Sequence, residues 1–304
     1  MINETSVVDP AVLTVVDYTD ERLARAMASG EVNTDDAQLL ANIRSSIRRG
    51  HPQIRPCPPK PERICLVGSG PSLTETLPEL RELYFDGAHV VTMNGAYHWC
   101  LEHNIRPSTQ VVLDARPSNA RFVQPAVPRC RYLLASQCAP EVWDAVEGRE
   151  HVWIFHASAG TTGPIKEALD AYYHKQWLGI GGGVTVASRA VMLLSETGYL
   201  RFDLFGIDSC WLGDAHHAFD QPENRHDRRC TITLSVADDP TVPPQTFRCS
   251  PWHVKQFEDF LQLIRVNAAQ FLLHVHGPGL LATALRMIGS SGTPTSLTTT
   301  VTQE

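Results

Sequence analysis

Hydrophobic and polar positions along the chain alternate between two regimes. Seven short runs are rich in valine, isoleucine and leucine and apolar on both faces: RICLVG (63–68), HVVTMN (89–94), TQVVLD (109–114), RYLLAS (131–136), HVWIFH (151–156), RFDLFGID (201–208) and FLLHVH (271–276). Runs of this length without polar alternation fit strands covered by helices on both sides. Helical periodicity occupies the intervals, notably 140–147, 163–176, 184–197 and 251–268. The alternation predicts an α/β fold, a Rossmann-like, doubly wound, mostly parallel sheet with helices on both faces.

The flanks differ. Residues 19–50 predict two helices, with Thr19 and Asn33 as N-caps and Leu39, Leu40, Ile43 and Ile47 at helical spacing before Gly50. A proline-rich connector, PCPPKPE (56–62), then marks a boundary. The expected organisation is a helical extension over 1–62, one large domain over 63–288 and a disordered Ser/Thr-rich tail over 289–304. Within the large domain, 209–249 lacks helical periodicity and reads as a long loop or lid. No internal repeat is visible.

Composition narrows the classes. With 26 basic and 33 acidic residues the chain carries a net charge of −7, which excludes a broad basic footprint for nucleic acid. The eight cysteines form no CxxC pair, and several lie in strand-like runs, as reduced thiols acting as small hydrophobes. The opening MINETSVVDP has neither a basic nor an apolar stretch of a signal peptide, and no apolar run approaches a membrane span. The expectation is a soluble, cytoplasmic protein.

Candidate chemistry sits at strand ends. GSGPSL (68–73) follows the first strand, and its glycines permit a tight turn while Ser72 and Glu75 have capping-box spacing. A helix N-terminus there would favour phosphate, though a plain strand-to-helix turn has the same sequence. GIGGG (179–183) precedes a helix with an apolar stripe of Val184, Ala187, Val191 and Leu194. Its glycines serve either ligand approach or close helix packing. Asn94, Asp114 and Asp208 each follow a strand, where open sheets bind ligands; each could instead close a turn. Asp214, His216, His217, Asp220, His226 and Asp227 crowd the 209–249 segment without metal-site spacing, so no metal site is assigned there. Ser250 and Pro251 open a helix whose first turn holds His253, where the helix field favours a neutral ring available as a base. The same field would favour a thiolate at Cys249.

Taken in order, VGSGPSL, MNGAY, VLDARP and GGGVTVASRAVMLLSETGYLRFDLFGID resemble the MptE-like, 6-hydroxymethylpterin diphosphokinase-like domain family, which includes the motility accessory factors implicated in flagellin glycosylation. More distantly the chain is similar to bacterial sialyltransferases of the Campylobacter type, through the turn, the Asn, the GID strand end and the lid. That resemblance implies that Gly68, Ser69, Gly70, Pro71 and Ser72 hold nucleotide phosphates, Asn94 binds the nucleotide, and Gly182 and Gly183 lie against base or ribose. It implies a nucleotide-sugar donor, CMP-linked, and a hydroxyl acceptor. Where those enzymes carry tyrosines this chain has Cys210 or Trp211 and His217, and where they carry the catalytic histidine it has Cys249, with His253 four residues on. The expected catalytic set is therefore His253, His217 and Asp208. The diphosphokinase resemblance implies ATP and magnesium instead, with Asp114 or Asp208 as metal ligands. A third reading is a non-catalytic nucleotide-binding or assembly module, and the N-terminal helices are a candidate homo-oligomer contact.

Overall fold

The computed structural model describes residues 16–18, 34–157, 163–221, 229–236, 241–267, 270–290 and 297–303. The chain divides into two compact units, one formed by Met1–Glu31, Ser69–Glu82 and Leu200–Glu304, the other by Val32–Gly68 and Leu83–Tyr199. All seven predicted apolar runs form strands of a mostly parallel sheet flanked by helices, the α/β, Rossmann-like fold that the alternation implies.

The second unit carries five of those strands: β2 (Lys60–Val67), β3 (His89–Met93), β4 (Thr109–Val112), β5 (Arg131–Ala135) and β6 (Val152–Phe155). They pair in sequence order and all in parallel. Ile64 to Val67 are fully buried, as two-sided coverage requires. Helices α1 (Asp36–Ile47), α3 (Ala96–Glu102), α4 (Pro140–Asp144), α5 (Gly163–Tyr173) and α6 (Val186–Glu196) belong to this unit. The N-cap of α1 is Asp35, whose carboxylate accepts from the Gln38 N–H at 2.8 Å; Thr19 and Asn33, the expected caps, lie outside the described residues. Helix α1 is anchored in its own unit: Asn42 Nδ2 donates to the Ala115 and Gln137 carbonyls and Ser46 Oγ to the Ser136 carbonyl.

The first unit carries β7 (Tyr199–Phe205), with β10 (Leu272–Val275) parallel beside it, and the helices α2 (Leu73–Phe85), α7 (Pro251–Asn267) and α8 (Leu280–Ser290). It also contains a sheet that two expectations missed. Segment 209–249 is not a structureless lid: β8 (Cys230–Val236) and β9 (Gln245–Cys249) form an antiparallel pair within it. Nor is the tail wholly disordered: β11 (Leu297–Gln303) pairs antiparallel with β8 and parallel with β1 (Val16–Tyr18). The cause is period-two patterning. Cys230, Ile232 and Leu234 are buried while Thr231 and Thr233 are not, and the threonines of LTTTVTQ suit a pleated surface.

Of the eight cysteines only Cys57 is exposed, and none forms a disulfide. Among the described residues no helix is long and apolar enough to cross a membrane.

Candidate functional site

In the first unit, the chain leaving β7 passes Gly206, Ile207 and Asp208, with Gly206 and Ser209 both at left-handed φ. This passage meets the Ser69–Ser72 turn. The Gly70 N–H donates to the Gly206 carbonyl at 2.8 Å, and the Ser72 N–H donates to Asp208 Oδ2 at 3.0 Å. A Cβ on Gly70 would stand 2.3 Å from Asp208 Oδ2 and 2.7 Å from the Gly206 oxygen, so only glycine fits. Ser72 does stand at the cap position, its carbonyl accepting from the Thr76 N–H and hydroxyl.

This geometry alters the expected phosphate cradle. The Gly70 N–H is spent on Gly206, the Ser72 N–H on Asp208 and the Leu73 N–H on the Gly70 carbonyl, and Pro71 has none. The positive end of α2 is met by the chain's own carboxylate rather than left to a ligand. Asp208 is 3% exposed, and burial pushes its carboxyl up to about 6 against the opposing hydrogen bonds from Ser72. A second glycine turn, HGPG (276–279), closes over the same aspartate: a Cβ on Gly279 would lie 2.7 Å from Asp208 Cα, and the Leu281 N–H reaches the Asp208 carbonyl. Residue types at this turn gave a signal, Gly-Pro-Gly between strand and helix, that the sequence reading passed over. So enclosed, Asp208 braces the turn; its burial puts it behind the groups that would touch a substrate.

Side-chain groups face the turn from the 209–249 segment. Ser69 Oγ and His217 Nδ1 are 3.1 Å apart, and the Ala218 N–H donates to the Ser69 carbonyl. The His216 ring lies 4.2 Å from that of His217 and 4.5 Å from that of His253, centroid to centroid. Burial, with His217 nearby, holds His216 down to about 4, and burial, then His216 and His217, holds His253 well below the ordinary histidine range. Three close imidazoles cannot all carry charge.

Helix α7 begins at Pro251 after Ser250, as its sequence predicts, but its cap is unusual. His253 Nδ1 accepts from the Ser250 backbone N–H at 3.2 Å, the place that Glu takes in a capping box. A neutral ring that accepts at Nδ1 carries its proton at Nε2. His253 in this arrangement is therefore a hydrogen-bond donor at Nε2, not the base that the helix field suggested. Cys249 likewise departs from expectation: its thiol lies against the Ser209 and Phe247 carbonyls, as an S–H donor rather than a thiolate. Cys210 accepts from the Leu280 N–H, and burial pushes its thiol up to about 12. Asp214 is paired with Arg248; His226 and Asp227 lie outside the described residues.

The remaining candidates belong to the second unit. Gly68 is buried directly after β2. Asn94 follows β3 at φ 46°, a conformation asparagine tolerates, and its buried side-chain oxygen has no hydrogen-bond partner among the described residues. Asp114 is engaged, its two oxygens accepting from the Arg116 backbone N–H and guanidinium. Gly182 and Gly183 take φ 105° and 89°, and a Cβ on Gly182 would lie 2.7 Å from Met192 Cγ and the Ser188 carbonyl on α6. Close packing thus accounts for Gly182. Arg189 secures the same turn by donating to the Ile180 and Gly183 carbonyls. Val184, expected in the buried stripe with Ala187, Val191 and Leu194, is 48% exposed, because α6 starts only after Thr185 caps it.

The sequence profile of the 6-hydroxymethylpterin diphosphokinase MptE-like family matches residues 37–214. No curated protein matches the chain by sequence. Among solved structures, a MAf glycosyltransferase from Magnetospirillum magneticum AMB-1 is 14% identical with a TM-score of 0.60, over 80% of this chain and 36% of that one. The chain thus spans little more than a third of that structure's length. A mammalian sialyltransferase crystallised with Gal-beta-1-3GalNAc-ortho-nitrophenol is 11% identical with a TM-score of 0.39, over 88% of this chain and 89% of that one.

Proposed function

The chain belongs to the 6-hydroxymethylpterin diphosphokinase MptE-like family, and from that premise we propose that it is a nucleotide-dependent transferase moving a glycosyl group from a nucleotide sugar, CMP-linked, to a hydroxyl acceptor. The observation that carries the reading is the set of neutral or hydroxyl side chains gathered at one turn: Ser69, His217, His216 and His253, backed by Asp208. The fold shared with a glycosyltransferase supports it.

In this reading the acceptor oxygen attacks the sugar carbon as the bond to the donor phosphate breaks. Charge grows on the departing phosphate oxygen, and uncharged donors poised in a low-dielectric site stabilise it without reorganising. His253 Nε2–H and the Ser69 hydroxyl fill that role. His217 takes the acceptor proton in this reading, a role that requires the tautomer with its proton on Nδ1 toward Ser69.

Pyrophosphoryl transfer from ATP is the second reading, favoured by the family's own description. It calls for magnesium, which takes carboxylate and phosphate oxygens. Asp114 is held by Arg116, which leaves Asp208 Oδ1, buried and without a partner among the described residues, as the carboxylate oxygen that could join such an ion. One buried oxygen is a poor fit.

Steady-state release of nucleotide from a panel of sugar nucleotides, with and without EDTA, tests the proposal. Turnover should persist in chelator, and His253→Ala should lower kcat by on the order of a hundredfold while nucleotide affinity changes little. Abolition by EDTA that added magnesium alone restores, or equal loss of kcat and affinity in the variant, would favour the other reading.

A further inference from the structure

A second cluster, of groups that can ligate a metal, lies in the first unit beside the HGPG turn, where Gly277 packs on Ser72. Strand β10 reads LLHV and is followed by His276, so residues 274 and 276 share one face of the strand. Parallel pairing sets His274 directly opposite Asp203 of β7. Three side chains from two strands thereby converge: Asp203 Oδ1 lies 2.9 Å from His276 Nε2 and 3.4 Å from His274 Nδ1, and the three ligand atoms all fall within 4.8 Å of one another. Such separations are those between neighbouring ligands around a small divalent cation with bonds of about 2.0–2.2 Å.

What surrounds the cluster matches a metal centre. The other nitrogen of His276, Nδ1, faces Glu79 Oε2 of α2 at 2.5 Å. A ligating histidine commonly donates its second N–H to a carboxylate, which fixes its tautomer and ring orientation. The ring is also stacked on Phe205, 4.0 Å between centroids and 13° from parallel. A neutral imidazole has one proton for two carboxylates, so the Nε2 side suits a cation in place of that proton. Asp203 is 1% exposed and His276 9%, whereas the His274 side chain is about half exposed, which leaves the outward coordination position to water.

We propose that Asp203, His274 and His276 bind one zinc-class divalent cation, with Glu79 as the positioning residue for His276. Two imidazoles and one carboxylate suit zinc better than magnesium, which prefers oxygen alone. The ion ties α2, which Ser72 caps and whose first turn carries Thr76, to β7 and β10. This assignment is independent of the proposed reaction.

The test uses EDTA-treated full-length protein titrated with zinc chloride by calorimetry, with magnesium chloride as the comparison and cobalt(II) absorption as the spectroscopic report. Wild type should bind one equivalent of zinc, ignore magnesium at the same concentration and show the visible bands of a coordinated cobalt ion. His274→Ala, at a half-exposed position, should stay folded and lose at least a hundredfold in zinc affinity, and Glu79→Gln should lose ten- to a hundredfold. His217→Ala should keep the equivalent. No binding in wild type would overturn the assignment. So would undiminished binding in His274→Ala, or loss in His217→Ala, which would place the ion among the other histidines.

Discussion

Replacing Asp208 with asparagine is expected to remove a stability loss of about 2 kcal/mol that the wild-type protein suffers between pH 4.5 and 7.5. The carboxyl is 3% exposed and raised from 3.8 to about 6, chiefly by burial. Between those two values the folded state binds more protons than the unfolded state, so stability is greatest below the unfolded pKa and falls as pH rises through the folded one. A shift of this size corresponds to about 3 kcal/mol in all, most of it inside the accessible window. His216, lowered to about 4, and His253, lowered further, act with the opposite sign over the same range. The wild-type curve alone is therefore ambiguous. The informative quantity is variant minus wild-type stability from urea melts at several pH values, in which the histidine contributions cancel. Asparagine keeps an oxygen for the Ser72 N–H and places an amide where Oδ1 has no partner among the described residues, a cost that shifts the difference by a constant. The difference should rise with pH; a flat difference would mean that the carboxyl titrates normally.

Gly70→Ala should cost about 1–3 kcal/mol and abolish nucleotide binding. The new methyl group meets the Asp208 carboxylate and the backbone of Gly206, and backbone cannot swing aside as a long side chain can. Relief would push the turn off Asp208 and carry Ser69 away from His217. Ser69→Ala provides the folding-safe comparison: it deletes one hydroxyl, should cost no more than about 1.5 kcal/mol, and should weaken nucleotide binding without eliminating it. Wild-type affinity in both variants would detach the turn from the ligand.

Much of the fold was legible because buried parallel strands have no polar face to hide. VVTM and YLLA could be little else between helical stretches, and each became a strand within a residue or two of its predicted ends. The small sheet was read wrongly for a compositional reason. CTITLSV alternates as a half-buried strand should, but its setting in a His- and Pro-rich segment, like the Thr-rich setting of β11, suggested loop and tail. At the candidate site, the sequence singles out Ser69, Gly70, His217 and His253 but not the contacts that join them. Ser72 and Asp208 are 136 positions apart, and nothing local announces that one caps the other. The tautomer of His253 depends on a backbone N–H three residues back, and periodicity does not report it. The Asp203–His274–His276 cluster left one trace, a His-x-His spacing in a strand, whose meaning depends on the pairing of β10 with β7.

The central claim, a nucleotide seat at the Ser69, His217 and His253 side chains that the Gly70 turn holds in place, is met most directly by a thermal-shift series with CMP, CDP, UDP, GDP and ATP on wild type and Gly70→Ala, each with and without magnesium. A ligand at a hundred times its dissociation constant stabilises the folded state by about 2.7 kcal/mol, a shift of several degrees. The account predicts one selective response, to CMP and without need of magnesium, that vanishes in the variant. No response to any nucleotide, or an equal response in Gly70→Ala, would contradict it.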